Sequence, residues 1–242
     1  TGGSGNDVID GGNGNDTING LAGTDSITGG AGVDSILAGD GNDTIVGAQD
    51  DALLDGGNDT DLLQIGANFD DASNAQIANV ENVALTVTGL TVTLADQTEG
   101  FTITGFAGGA STITGAQGAD SITGGSGNDV IDGGNGNDTI VGAQDDALLD
   151  GGNDTDLLQI GAAFTSTGDG QIINVENVAL TADGLTVSLA NQSENLTITG
   201  FAGGASTITS GSGADSITGG SGSDVIDGGN GNDTINGLAG TD

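Results

Sequence analysis

The residues with chemistry to offer are aspartates, and they stand at fixed intervals. Asp7, Asp16, Asp25, Asp34 and Asp43 are nine residues apart, and Asp61 follows 18 further on. The spacing returns in Asp120, Asp129, Asp138 and Asp156, and again in Asp215, Asp224, Asp233 and Asp242. The chain of 242 residues holds 35 Asp and Glu with no Lys, Arg, His, Cys, Met, Trp, Tyr or Pro, a formal charge of −35. No salt bridge between side chains can form. The same absences exclude Ser-His-Asp and Cys nucleophiles, a Schiff-base or P-loop lysine, every His or Cys metal site and any disulfide framework. Paired carboxylates can hydrolyse glycosides, but there is no aromatic platform for a sugar and no asymmetry between the sites, so no enzyme activity is expected. A polyanion without basic residues cannot neutralise phosphates or an anionic lipid surface, which removes nucleic acid and bare membrane as partners. Small hard cations are the expected ligands.

The elements that must position these acids are nonapeptides. From Gly2 the chain reads GGSGNDVID, GGNGNDTIN, GLAGTDSIT, GGAGVDSIL and onward through seven consecutive units to Gln64. Five more run from Gly115 to Gln159, and three with a truncated fourth from Ser210 to Asp242. Position one is nearly always Gly, position four is Gly, position six is Asp and position eight is Ile or Leu. Glycines and Asn tolerate positive φ, so the first six residues suit a tight turn that exposes carbonyl oxygens. The last three place a β-friendly Ile or Leu between two outward residues, making Ile9, Ile18, Ile27 and their equivalents the core.

The pattern G-G-x-G-x-D-x-U-x resembles that of the RTX (repeats-in-toxin) calcium-binding nonapeptide family. The resemblance implies an all-β chain, a right-handed parallel β-roll or β-solenoid of stacked 18-residue coils. It also implies Ca2+ ions between turns one coil apart, several per chain. Carried over position by position, it pairs Asp7 with Asp25, Asp16 with Asp34, Asp25 with Asp43, Asp43 with Asp61, Asp120 with Asp138, Asp138 with Asp156, Asp215 with Asp233 and Asp224 with Asp242. Asp129 heads a further turn of this kind. Turn carbonyls or turn geometry come from Gly2, Gly5, Gly11, Gly14, Gly124, Gly127, Gly133, Gly136, Gly219 and Gly222. Ca2+ accepts six to eight oxygens in irregular shells, as such turns offer, whereas Mg2+ demands a tight octahedron and Zn2+ seeks N or S.

Some positions depart from the pattern. Ala52 and Ala147 stand where Asp34 and Asp129 should find partners, with Asp50 or Asp51 and Asp145 or Asp146 as substitutes, and Ser111 replaces Asp in the turn at Phe106. Glu81 and Glu176, in the NVENV motif, are open to a cation or to a hydrogen bond within the solenoid. The N-D-T triplets at Asn15, Asn42 and Asn137 match a glycosylation sequon but lie inside ligand turns.

The chain divides into a nonapeptide block at 1–64, a β-solenoid spacer at 65–114, a second block at 115–159, a second spacer at 160–209 and a third block at 210–242. Thr44 to Ile65 recurs as Thr139 to Ile160, an offset of 95, and Thr1 to Asp25 returns as Thr218 to Asp242 with Asn6 changed to Ser223. Alternating apolar and Thr residues in the spacers predict strands in somewhat wider coils of the same solenoid. Gly66 to Ala78 lacks that alternation and is expected to be a loop, a short helix or an out-looped coil. No apolar run reaches the twenty residues of a membrane span.

The expected role is an extracellular or cell-surface bacterial structural protein, an excerpt of a longer tandem array that folds on Ca2+ and self-assembles into a fibre, S-layer or matrix filament. Alternatives are the stalk of a giant adhesin, an ice- or ligand-binding module, or the RTX tail of a secreted hydrolase. The ice-binding alternative rests on outward Thr17, Thr44 and Thr139, in rows interrupted by Val8, Ser26 and Leu53.

Overall fold

One apolar side chain points inward in most strands, and two in four-residue strands such as Leu62–Ile65, and that alternation dictates the architecture. Ile27, Ile36, Ile45, Leu54 and Leu63 are fully buried, each between partly exposed neighbours, as in Thr44–Val46, Ser121–Thr123 and Thr139–Val141. A strand with so narrow an apolar stripe gains a core only by stacking on copies of itself. The computed structural model describes residues 1–47, 50–71, 73–142 and 144–242. They form a parallel β-solenoid of about 13 stacked coils, with no helix among the described residues. A 13-stranded sheet running from Val8–Asn13 to Thr234–Leu238 makes the first face. Sheets of four, six and four strands make the second, and every pairing is parallel.

Register follows the sequence repeat. On the first face Val8 pairs with Ser26, Ser26 with Thr44 and Thr44 with Leu62, each a step of 18 residues. In the first spacer the coils widen, with Leu62 on Asn82 and Asn82 on Thr102, steps of 20, then Thr102 on Ser121, a step of 19. Ser121 on Thr139 and Thr139 on Leu157 restore 18. Those five steps carry Leu62 to Leu157, so the 95-residue repeat is five whole coils. The second spacer repeats the widening at Asn177, Thr197 and Ser216. The 13-stranded sheet crosses every block and spacer boundary.

The described residues of Gly66 to Ala78 do not loop out. Phe69–Asp70 pairs forward with the strand Thr91–Thr93, whereas Ile77–Ala78 pairs back with Leu54 and Asp55. The detour buries Phe69 and Ile77 and divides the second face into separate sheets. The second spacer repeats it, with Phe164 on Val187 and Ile172 on Leu149. Two short strands replace the expected loop or helix because Phe69 and Ile77 each bring one more apolar side chain to the core.

The outward threonines do not form one row. Thr44 and Thr139 share the first face with Val8 and Ser26, whereas Thr17 and Leu53 lie on the second. Coils approach closely enough that some positions exclude a side chain. At Gly30, with φ 105°, a Cβ would overlap the Gly12 carbonyl of the previous coil.

Because each face contributes little more than one inward side chain per coil to the core, truncating an interior member leaves a cavity that neighbours cannot fill. Ile122→Ala should cost about 2–5 kcal/mol of stability in calcium-containing buffer. Ile9, only partly buried at the edge of the stack, should cost less than half as much on the same change. Urea denaturation followed by circular dichroism measures both.

Candidate metal centre

Each nonapeptide turn ends on its position-six aspartate, and stacking places these acids in two columns, one along each edge of the solenoid. Interior members are buried: Asp25, Asp34, Asp43, Asp61, Asp120, Asp129, Asp138, Asp156, Asp215 and Asp224. Asp7, Asp16 and Asp233 are half-buried and Asp242 is exposed.

The columns are stitched by a contact that sequence spacing alone does not reveal. The main-chain N–H of each aspartate donates to Oδ1 of the aspartate one coil on. Asp7 donates to Asp25 at 2.8 Å, Asp25 to Asp43 at 2.7 Å and Asp43 to Asp61 at 2.7 Å. Asp16 donates to Asp34 at 2.8 Å, Asp120 to Asp138 at 2.8 Å and Asp138 to Asp156 at 2.7 Å. Asp215 donates to Asp233 at 3.1 Å and Asp224 to Asp242 at 2.9 Å. All eight expected pairs are therefore adjacent.

The departures are settled by the same ladder. Asp34 N–H donates to Asp51 Oδ1 at 3.1 Å and Asp129 N–H to Asp146 Oδ1 at 3.4 Å, so the substitutes for Ala52 and Ala147 are Asp51 and Asp146, not Asp50 and Asp145. Glu81 and Glu176 accept from the N–H groups of Asp61 and Asp156 at 2.8 and 2.9 Å. Their longer side chains cap the columns where the coil widens to 20 residues. Ser111 N–H donates to Asp129 Oδ1 at 2.6 Å, and its Oγ accepts from Phe106 N–H at 3.3 Å. It holds the turn without a charge, and Ser206 does the same.

With Oδ1 committed, the other oxygen is what remains. Oδ2 of Asp16, Asp25, Asp34, Asp43, Asp61, Asp129, Asp138, Asp156 and Asp224 is buried without a hydrogen-bond partner. Elsewhere that oxygen is satisfied: Asp7 by Gly3 N–H, Asp120 by Ala116 N–H and Asp215 by Ser210 Oγ, each at 2.6 Å. The position-one glycines lie beneath these oxygens. A Cβ on Gly2, Gly11, Gly124, Gly133 or Gly219 would collide with Oδ2 of its own repeat's aspartate. Position-four carbonyls of Gly5, Gly14 and Gly222 face the glycine one coil on, Gly136 stacks on Gly118, and Gly127 lies against the Gly109–Ala110 backbone. Carboxylate oxygens and turn carbonyls thus run in parallel columns.

The electrostatics follow from burial. Desolvation, with repulsion from the acid one coil away, pushes the carboxyls of Asp61, Asp138 and Asp156 up to about 6, against the help of the backbone N–H each accepts. Desolvation alone raises Asp120 to about 6. Asp146, beside Asp129, is pushed to about 7, and Asp43, Asp51 and Asp129 rise for the same first cause. A buried carboxylate is costly unless its charge is compensated, and no side chain here is basic. The compensation has to be a proton or a bound cation. An all-oxygen donor set of carboxylates and carbonyls fits a hard cation such as Ca2+. Among the described residues no three acidic side chains gather as a metal site, so main-chain carbonyls have to fill most of any shell.

A family model for the RTX calcium-binding nonapeptide repeat, written as four copies, matches residues 1–36, 19–54, 28–63, 107–140, 114–148 and 201–242, together more than half of the chain. No curated protein matches it.

The raised carboxyls fix the sign of the pH dependence. Their folded values of about 6 to 7 exceed the unfolded value near 3.9, so the metal-free fold binds more protons than the unfolded chain between those limits. In a chelator, stability should be fully present below about pH 4 and lost as pH rises through about 6 to 7. In saturating Ca2+ the trend should reverse, since protons compete for the same oxygens. Circular dichroism across pH, with and without Ca2+, checks both arms.

Proposed function

The chain belongs to the RTX calcium-binding nonapeptide repeat family, and we propose that it is an extracellular structural segment, folded by Ca2+ and joined end to end with further copies into a fibre, lattice or matrix filament. Its cofactor is Ca2+ in several copies. The observation that carries the proposal is the column of buried, unpartnered Oδ2 atoms repeated coil after coil. A unique binding site needs one good copy, whereas a repeated one makes a material. In this proposal the position-six aspartates, with Asp51 and Asp146, hold the ions together with the turn carbonyls. Bound Ca2+ supplies the positive charge that the chain lacks, and the protein's own part is to fix the turns, shed water and present oxygens at each level.

Internal repetition supports assembly. Thr44 to Ile65 recurs as Thr139 to Ile160, 95 residues on, and Leu62 and Leu157 hold equivalent places in the 13-stranded sheet, so coils five levels apart offer closely matching surfaces for stacking. Repulsion at −35 opposes contact until Ca2+ neutralises the turns, which couples assembly to folding. The role is structural, and the carboxylates act as ligands, not as acid–base catalysts.

Above about pH 7, where the raised carboxyls are ionised, EGTA should abolish the β-type circular dichroism signal and millimolar Ca2+ should restore it; a β signal that survives thorough chelation at that pH defeats the proposal. Sedimentation across the same titration should show growth in step with folding. A folded rod that stays monomeric would replace the fibre with an adhesin stalk.

Asp25 is linked by the ladder to both Asp7 and Asp43, whereas Asp7 is linked within this chain only to Asp25. Calorimetric titration of Asp25→Asn should therefore lose more bound Ca2+ than Asp7→Asn. Asparagine keeps the Oδ1 acceptor, so the loss reports charge and not the ladder. Equal losses would refute the stacking of sites.

A further inference from the structure

Charge is distributed unequally between the two faces. Each strand of the 13-stranded sheet turns out two side chains beside its central apolar residue, and among the described residues Asp10 is the only carboxylate at these positions. The others are Ser, Thr, Asn, Gln, Ala, Val and Leu, and none is buried. The second face carries Asp55, Asp70, Asp132, Asp150 and Asp227 on its strands and is broken into three sheets. In a chain with 35 acids, a strip neutral on every strand after the first is the surface through which two copies meet with the least stacking of carboxylate on carboxylate.

We propose that this strip is a lateral contact, on which two copies of the chain pack their 13-stranded sheets face to face in full overlap. The proposal goes beyond end-to-end assembly and uses a different surface. Thirteen strands at about 4.8 Å and three residues at about 3.3 Å give a strip roughly 58 Å long and 10 Å wide. A full-overlap pair buries about 1,200 Å2, at the lower limit of a stable interface. Between two chains of these 242 residues, sliding one by the 95-residue repeat removes five of the strands from contact and falls below that limit, so the pair formed by this length of chain is the full overlap. Leu62 and Leu157, which occupy the same outward column, give the strip apolar anchors. A basic partner would choose the acidic turns or the second face. A partner of matching length, neutrality and ladder spacing is another copy of this one.

Two-fold symmetry makes the contact testable. Whether the two solenoids run parallel or antiparallel, full overlap brings the middle strand Ser121–Thr123 onto itself, because it is seventh in the order of the sheet. The chain has no native cysteine, so one introduced thiol reports one position. In Ca2+, Ser121→Cys should form a disulfide-linked dimer under mild oxidation. Thr112→Cys, on the second face, should stay monomeric on the same gel. Comparable cross-linking of the two, or a cysteine-free chain that sediments as single rods at high protein and Ca2+ concentration, overturns the proposal.

A second variant keeps the test independent of thiol chemistry. Thr104→Glu with Thr123→Glu puts charge in the middle of the strip and should weaken pairing about tenfold or more in sedimentation. Its circular dichroism in Ca2+ must match the parent, and unchanged pairing in the folded variant also overturns the proposal. Electron microscopy separates the two contacts. Loss of lateral pairing halves filament width at constant length, whereas failure of end-to-end joining leaves short paired rods.

Discussion

A carboxylate taken out of water needs positive charge beside it, and this chain has no basic side chain to provide any. That shortage governs the architecture. Hydrogen bonds from main-chain N–H groups satisfy one oxygen of each buried aspartate, as Asp43 N–H does for Asp61 at 2.7 Å, but they bring only partial charge. Stacking then aggravates the shortage, because the acid that accepts from one coil repels the acid in the next. The upward displacement of Asp61, Asp138 and Asp156 to about 6 records both effects. Folding without a cation would therefore require these buried groups to ionise uncompensated at neutral pH. Calcium removes that requirement and explains why a fold with so little core has use for so many turns of the same kind.

The spacers show how the same solenoid is built where this constraint is relaxed. Their turns are stitched by neutral amides: Asn68 Oδ1 accepts from Thr91 N–H at 2.9 Å, Asn74 Oδ1 from Thr98 N–H at 2.8 Å, and Gln192 Nε2 donates to the Gly168 carbonyl at 2.8 Å. Extra apolar residues, Phe69 and Ile77 among them, thicken the core at the same levels. Coils of 20 residues thus exchange ionic ligands for amides and burial. Asp71 is an acid retained in such a turn; it is buried and takes the Gln97 amide at 3.2 Å, and the second copy has the neutral Ser166 in its place.

Much of this is legible in the sequence because period is a direct image of geometry. The inward Ile and Leu positions and the continuity of the spacers follow from counting, whereas the eighteen-residue coil and the eight aspartate pairs are what the family resemblance implies. What escapes counting depends on reach and direction. Asp51 rather than Asp50 replaces the acid missing at Ala52 because its Oδ1 meets Asp34 N–H one residue early in register, and sequence alone weighs the two equally. Glu81 serves as a column cap only because the coil beneath it is two residues longer. The detour through Phe69 and Ile77 carries no alternation, since each strand is two residues long and pairs in opposite directions along the axis. The division of labour within a carboxylate, Oδ1 to the backbone and Oδ2 left over, has no sequence signature.

The alternation of blocks and spacers has its own electrostatic logic. An unbroken column of aspartates would gather like charge along its whole length, and the misfit of any one ion would be felt at every level. Here each run is short. Asp7, Asp25, Asp43 and Asp61 end at Glu81, and Asp120, Asp138 and Asp156 end at Glu176. The next runs begin from the neutral residues Phe101 and Leu196, whose N–H groups donate to Asp120 and Asp215. A solenoid is stabilised by nearest-neighbour contacts, so a coil with a neutral residue at the column position transmits the fold while interrupting the repulsion. Five coils then form the smallest unit in which an aspartate run and the spacer that interrupts it both close in register, and repeating that unit every 95 residues lengthens the rod without lengthening any column of charge.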